Sequence, residues 1–396
     1  MSTFKKIPLF KGRILSNNGN KFRSNRDINY RMKQWFTAVA FVALGMFAAC
    51  DSDDYETGIR SGGGSLAEKI DGRVALAYVT YYGTSVPNPD YFTHLNYAFA
   101  EPVVDNGVYK GFVLQGDESR FQQIAALKKS NPDLKICISF TNSTTGGGFS
   151  VLAKSDAYRK AFANDCKAFL QEWGIDGVDM DWEFPGLTWS TGVYDVAVDV
   201  ANHVLLMAQL RETLGSKYLL TYAGYCNDKQ AVAGGSRYID IAAVAPYVDF
   251  VNIMTYDLDE APHHQSGLEY PAGVSDCKRA VQAYLDAGMD PNKLVLGVPF
   301  YGRRSFSTSP GAINYKDIIK LDQQSYKIDN WDAAASVPYV TYNGQYYCGY
   351  DNDKSIALKG EWLLAKGMKG MMYWDYDGDD AAGTLRKAVW QAVMSK

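Results

Sequence analysis

The sequence has little of what a metal or a nucleotide would need. It holds 4 His in 396 residues; His94 and His203 stand alone, His263 and His264 are adjacent, and no HExxH spacing occurs. The Cys residues are scattered. With Cys50 set apart, Cys137, Cys166, Cys226, Cys277 and Cys348 make an odd, irregular set, so neither a disulfide framework nor a zinc cluster is expected. No GxGxxG opens a first strand–helix turn, and the glycine-rich "TTGGGFS" at 144–150 has no P-loop lysine. No metal and no cofactor are therefore expected. Positive charge is scarce as well. Residues 1–49 hold nine Lys and Arg against one acid, Asp27, which leaves 31 basic and 43 acidic residues and a formal −12 for the remainder. A surface of that sign argues against nucleic acid as a partner.

Aromatic residues are plentiful, at 14% with 28 Tyr. Such a composition fits both sugar or peptide recognition and aromatic core packing. The segment "MKQWFTAVAFVALGMFAAC", Met32–Cys50, has a lysine, an apolar run and small residues before a cysteine. That is the shape of an export signal, too short to span a membrane comfortably. It resembles a bacterial lipoprotein signal with Cys50 as the lipid attachment site, although Phe47 stands where Leu is usual. Translation is expected to begin at Met32. The resemblance implies a chain lipid-anchored at the bacterial outer membrane, touching the membrane through that anchor only, and the acidic "DSDDYE" after Cys50 resembles a surface-export tag. Residues 51–71, acidic and then Gly/Ser-rich, read as a flexible tether.

From residue 72 onward, short apolar runs alternate with amphipathic ones. The expected strands are "VALAYV" (74–79), "HLNYAF" (94–99), "LKICISF" (134–140), "IDGVDMDW" (175–182), "YLLTYAG" (218–224), "DFVNIMTY" (249–256), "KLVLGVPF" (293–300) and "GMMYW" (370–374). Helical periodicity lies between them, most clearly in "DAYRKAFANDCKAFLQEWG", which ends on Gly174 where a helix cap belongs. Helices are also expected in "SRFQQIAALKKS", "VYDVAVDVANHVLLMAQLRETLG", "RAVQAYLDAG" and "IALKGEWLLAKG". Eight buried strands alternating with helices predict an α/β fold, a (β/α)8 TIM barrel over residues 72–396. The interval 303–350 is too long for a plain connection and contains "YVTYNGQYYCGY", a hairpin with Asn343-Gly344 at its turn. It predicts a small inserted α+β subdomain between strand 7 and helix 7.

The stretch "GIDGVDMDWEFPG" (174–186) packs Asp176, Asp179, Asp181 and Glu183 into an apolar segment. Strand alternation puts Asp179, Asp181 and Glu183 on one face and Val178, Met180 and Trp182 on the other. On a barrel strand, the acidic face is the interior and its C-terminal end the active-site mouth. Three neighbouring carboxylates cannot all ionise cheaply, so at least one is expected to hold its proton near neutral pH, as a general acid requires.

"DGVDMDWE" matches the DxxDxDxE signature of glycoside hydrolase family 18, and "WEFPG" resembles that family's chitinase branch. "MTYD" (254–257), "LGVPFYGR" (296–303) and "GMMYWDYDGD" (370–379) are similar to its sixth, seventh and eighth strand motifs. The resemblance implies a substrate-assisted retaining mechanism on N-acetylglucosamine-containing polysaccharide or glycan. Glu183 would be the acid and base, Asp181 would hold the substrate's acetamido N–H, and Asp179 would share a proton with Asp181. Tyr256 would donate to the acetamido oxygen, Asp257 would line the cleaved sugar's site, and Trp374 would form its floor. Met254 and Arg303 fall in the matched motifs as further substrate-site residues, Tyr78 on the first strand and Ser139 on the third match positions that the family uses behind the Asp pair, and Asp176 would be structural. The third-strand motif departs from the family: Ser139 is followed by "FTNSTTGGG" rather than Ser-x-Gly-Gly. A solvated pair is expected at His263 and His264. Trp189, Trp331 and Tyr346 fit sugar platforms and packing of the insertion equally. An endo-β-N-acetylglucosaminidase of N-glycans needs the same carboxylates; Tyr256-Asp257 leans toward chitin, because the N-glycan enzymes tend to carry Gln there. A non-catalytic binding protein on this scaffold would lack the acid that Glu183 supplies.

Overall fold

In the computed structural model, residues 66–142, 148–186, 194–225, 238–270 and 275–395 are described. Eight parallel strands form the barrel: β1 (Val74–Thr80), β2 (His94–Asp105), β3 (Lys135–Thr141), β4 (Gly177–Asp181), β5 (Leu219–Gly224), β6 (Phe250–Ile253), β7 (Leu294–Pro299) and β8 (Gly370–Trp374). Each pairs in parallel with the next, and β8 closes the ring on β1. This is the expected TIM barrel. Continuous apolar runs suit it because each strand is covered on both faces; all seven residues of β1 are buried. Helix Asp156–Trp173 packs Phe162, Cys166 and Leu170 inward; Ser155 accepts from the Tyr158 amide at its start, and Gly174 at φ 64° ends it.

Two elements differ from expectation. β2 continues to Asp105, turns at Asn106-Gly107 (φ 50° and 74°) and pairs back antiparallel with Val108–Leu114. The helix expected from about Val193 begins only at Asp199. Its carboxylate accepts from the Asp195 amide at 2.7 Å and from Ser150 Oγ at 2.8 Å, which ties the preceding residues into a turn.

Between β7 and helix Asp353–Ala365 stands an antiparallel sheet of five strands, ordered Ala312–Asn314, Tyr301–Arg303, Gln345–Gly349, Val337–Tyr342 and Tyr326–Asp332. A single helical turn, Tyr315–Ile318, accompanies it. Asn343 (φ 48°) and Gly344 (φ 80°) make its hairpin turn, both left-handed as a tight two-residue loop demands. Below the sheet, Lys359 and Asp351 form a fully buried ion pair at 2.6 Å. Cys137, Cys166, Cys277 and Cys348 are free, buried thiols. Cys50, Cys226 and Trp189 lie outside the described residues.

Candidate active site

Alternation along β4 aims its two side-chain sets as the sequence implies. Trp182, just past the strand, stacks on Phe149 from helix Gly148–Lys154, with centroids 5.4 Å apart. Asp179 and Asp181 are buried, while Glu183, two residues past the strand end, is half-buried at the rim.

Asp179 is the deepest of the three and is held by four neutral donors. Its Oδ2 accepts from Tyr78 Oη at 2.8 Å and Ser139 Oγ at 2.7 Å. Its Oδ1 accepts from Thr221 Oγ1 at 2.5 Å and Asn252 Nδ2 at 3.2 Å. Burial raises its pKa, and these four bonds oppose the rise. Asp181 hydrogen-bonds to Glu183, and its Oδ1 is buried with no partner among the described residues. Burial first, then the charges of Glu183 and Asp179, push the Asp181 carboxyl well above the usual range. Burial pushes Glu183 up to about 7. Donors from β1, β3, β5 and β6 occupy both oxygens of Asp179, while Asp181 makes its side-chain hydrogen bond to Glu183.

The other expected residues converge on the same mouth. Tyr256 is buried, and the charges of Asp181, Glu183 and Asp257 raise its pKa further beyond the effect of burial. Asp257 adopts φ 54° and receives a bidentate bond from Arg303, Nε to Oδ1 at 2.8 Å and Nη2 to Oδ2 at 2.7 Å. Trp374 stacks on Phe99 at 5.6 Å and 23°, with Tyr78 at 5.5 Å on a tilt. Met254 packs partly buried against this cluster. Asp176 points elsewhere: it takes Lys128 at 2.6 Å and the Ile136 amide at 2.8 Å, a structural anchor.

Residues 74–379 match the model of Glycosyl hydrolases family 18. The chain belongs to that family. It is 30% identical over 392 residues to Chitinase A1 of Niallia circulans, an alignment that takes in 76% of this chain and 55% of that one. The chain therefore spans little more than half the length of that relative. Among solved structures it resembles a family 18 N-acetylglucosaminidase from Paenibacillus barengoltzii (27% identity, TM-score 0.69, 81% of this chain and 99% of that one). It also resembles the Group IV chitinase of Ostrinia furnacalis in complex with allosamidin (26% identity, TM-score 0.70, 81% and 97%).

A family 18 glycoside hydrolase needs a group that is an acid in one step and a base in the next. Glu183, at the open end of the ladder, is the carboxyl that burial pushes up to about 7. Three contributors escaped the sequence reading. Thr221 and Asn252 sit mid-strand in apolar runs, where a buried polar side chain signals a buried partner. Tyr301, beside Arg303, hydrogen-bonds with Asp257 and has its ring 6.4 Å from that of Tyr256. The histidine pair divides, contrary to expectation. His263 is exposed beside Asp259, whereas His264 is buried between Asp332 and Tyr346 because the inserted sheet folds over it. Trp331 and Tyr346 lie on strands of the inserted sheet.

Proposed function

We propose that the chain hydrolyses β-1,4 links after N-acetylglucosamine in chitin or its oligosaccharides, with retention and with the substrate's own acetamido group as nucleophile. The observation that carries this reading is the Asp181–Glu183 pair: two hydrogen-bonded carboxyls, both raised chiefly by burial, and an Asp181 Oδ1 with no partner among the described residues. An acetamido N–H is the donor that oxygen lacks. Glu183 gives its proton to the glycosidic oxygen as the C–O bond breaks. The acetamido carbonyl oxygen, held by Tyr256, bonds to the anomeric carbon and forms an oxazolinium ring, whose charge Asp181 offsets. Water then attacks that carbon, Glu183 takes its proton, and the ring reopens. The chitinases and the N-acetylglucosaminidase among the relatives support this substrate class.

The test uses residues 70–396 and the Glu183→Gln variant, each with chitotetraose and with a high-mannose glycopeptide. Chitobiose release, lost in the variant, is the expected result. Glycan release that leaves one sugar on the peptide would instead identify an endo-β-N-acetylglucosaminidase of N-glycans. Chitotetraose bound by the unsubstituted enzyme but never cut would make the chain a binding protein.

We further propose that the full chain is exported and lipid-anchored through Cys50 at the outer membrane, with its catalytic barrel exposed beyond the tether. Labelled palmitate incorporated by the expressed full chain, and absent from Cys50→Ala, is the expected outcome; equal labelling of both overturns it.

A further inference from the structure

The inserted sheet and the segment after β6 enclose an open pocket of about 460 Å³, a size ordinary for a small-molecule site. Its walls include Tyr270, Trp331, Tyr339 and Tyr346, with His264 and Asp332 among the polar groups. None of these residues bonds to the carboxylates of β4. The aromatic wall is held in place. Tyr339 and Tyr346, on adjacent strands, stack 5.2 Å apart and 8° from parallel. His264 fixes Tyr346 by lying 2.8 Å from its hydroxyl through Nδ1, while Nε2 sits 3.0 Å from Asp332. The Tyr346 hydroxyl also donates to the His263 carbonyl at 3.1 Å. Lys354 Nζ lies 3.9 Å from the centroid of the Trp331 ring and restrains it.

Rings fixed before a ligand arrives cost little entropy to use. Flat aromatic faces match the C–H face of a pyranose; the Thr341 hydroxyl, which accepts from Asn330, can donate to a sugar oxygen, and Asp332, already taking the Ala334 and Ala335 amides and His264, keeps one acceptor position. Among the described residues no Lys or Arg lines the pocket, Lys354 being engaged on the Trp331 ring, and Asp332 is the one carboxylate, so an anionic ligand is disfavoured and a neutral sugar is favoured. We propose that this pocket is a second, non-catalytic sugar site that takes an N-acetylglucosamine unit of the polymer. The proposal rests on the substrate reading above. A chain held there would raise the local concentration of its neighbouring links at the barrel mouth.

The test counts sites. The Glu183→Gln chain, which cannot cut, is titrated calorimetrically with chitotriose. Two sites per chain are expected, reduced to one by Tyr339→Ala. Ala333→Trp, which adds a ring at an exposed turn position on the pocket edge and removes nothing from the sheet, is expected to do the same even if Tyr339→Ala fails to fold. The same variant is expected to lower adsorption to insoluble chitin about fivefold. One site in Glu183→Gln, unaffected by Ala333→Trp, overturns the pocket and leaves the activity reading standing. No binding at all overturns both.

Discussion

Glu183 is set apart from its neighbours by what each carboxylate touches. Asp179 has four donors, Asp181 has a partner on one oxygen only, and Glu183 reaches the rim. Of the three, Glu183 is the carboxyl that combines a raised pKa with a place at the rim, which is what the proposed acid needs. Glu183→Gln is expected to lower kcat by about 100-fold or more, the usual worth of a positioned acid–base group. The proposed mechanism needs Glu183 protonated, and its pKa is raised to about 7. So kcat/KM should fall about tenfold per unit above that pH. A profile from pH 5 to 9 on a chromogenic chitobioside checks this; a rate still rising at pH 8 would remove Glu183 as the acid. Tyr78→Phe deletes one donor to Asp179 and leaves Ser139 on the same oxygen. It should cost about 1 kcal/mol in denaturant unfolding, the net worth of one hydrogen bond.

The inserted sheet depends on a turn that side chains would strain. A Cβ at Gly344 meets open space, yet its φ is +80°. Gly344→Ala should therefore destabilise through the backbone alone, by about 1–2 kcal/mol, seen as a lower urea midpoint at unchanged slope. That turn was legible from Asn343-Gly344, and the eight barrel strands were legible from apolar runs, because both signals are local. Asn106-Gly107 offered the same local signal and went unread, hidden by the assumption that β2 ends where its apolar run ends. The carboxylate ladder was legible too, since strand alternation alone puts Asp179, Asp181 and Glu183 on one face. The burial of His264 was not. It depends on strands some 70 residues later folding back over it, as its 3.0 Å contact across 68 positions to Asp332 records. The bidentate grip of Arg303 on Asp257 was not legible either, since it follows from how the insertion leaves β7.

A barrel that buries carboxylates for catalysis gives up stability to do so, and pH exposes how much. Asp181 and Glu183 have folded-state pKa values raised above those of the unfolded chain, chiefly by burial. Such groups favour the native state fully below the unfolded carboxylate range, about pH 4, and that contribution is lost as pH climbs through the folded values. For Glu183 the loss spans the range from there to about 7, and for Asp181, raised by burial and by the charges of Glu183 and Asp179, it likewise extends above the ordinary carboxylate range. The native enzyme should accordingly melt at lower temperature at pH 8 than at pH 5. Asp181→Asn removes one ionisable group while its amide can still donate to Glu183, so the variant should be inactive yet more stable. Each kcal/mol gained corresponds to roughly 2–4 °C in Tm for a domain approaching this size. The gain should be larger at pH 8, where the native Asp181 is pressed to ionise, than at pH 5, where it keeps its proton. Calorimetry of both proteins at the two pH values decides the matter. An equal gain at both would mean that Asp181 strains the barrel by its shape rather than by its charge, and the reason offered here for Glu183 holding a proton would fall with it.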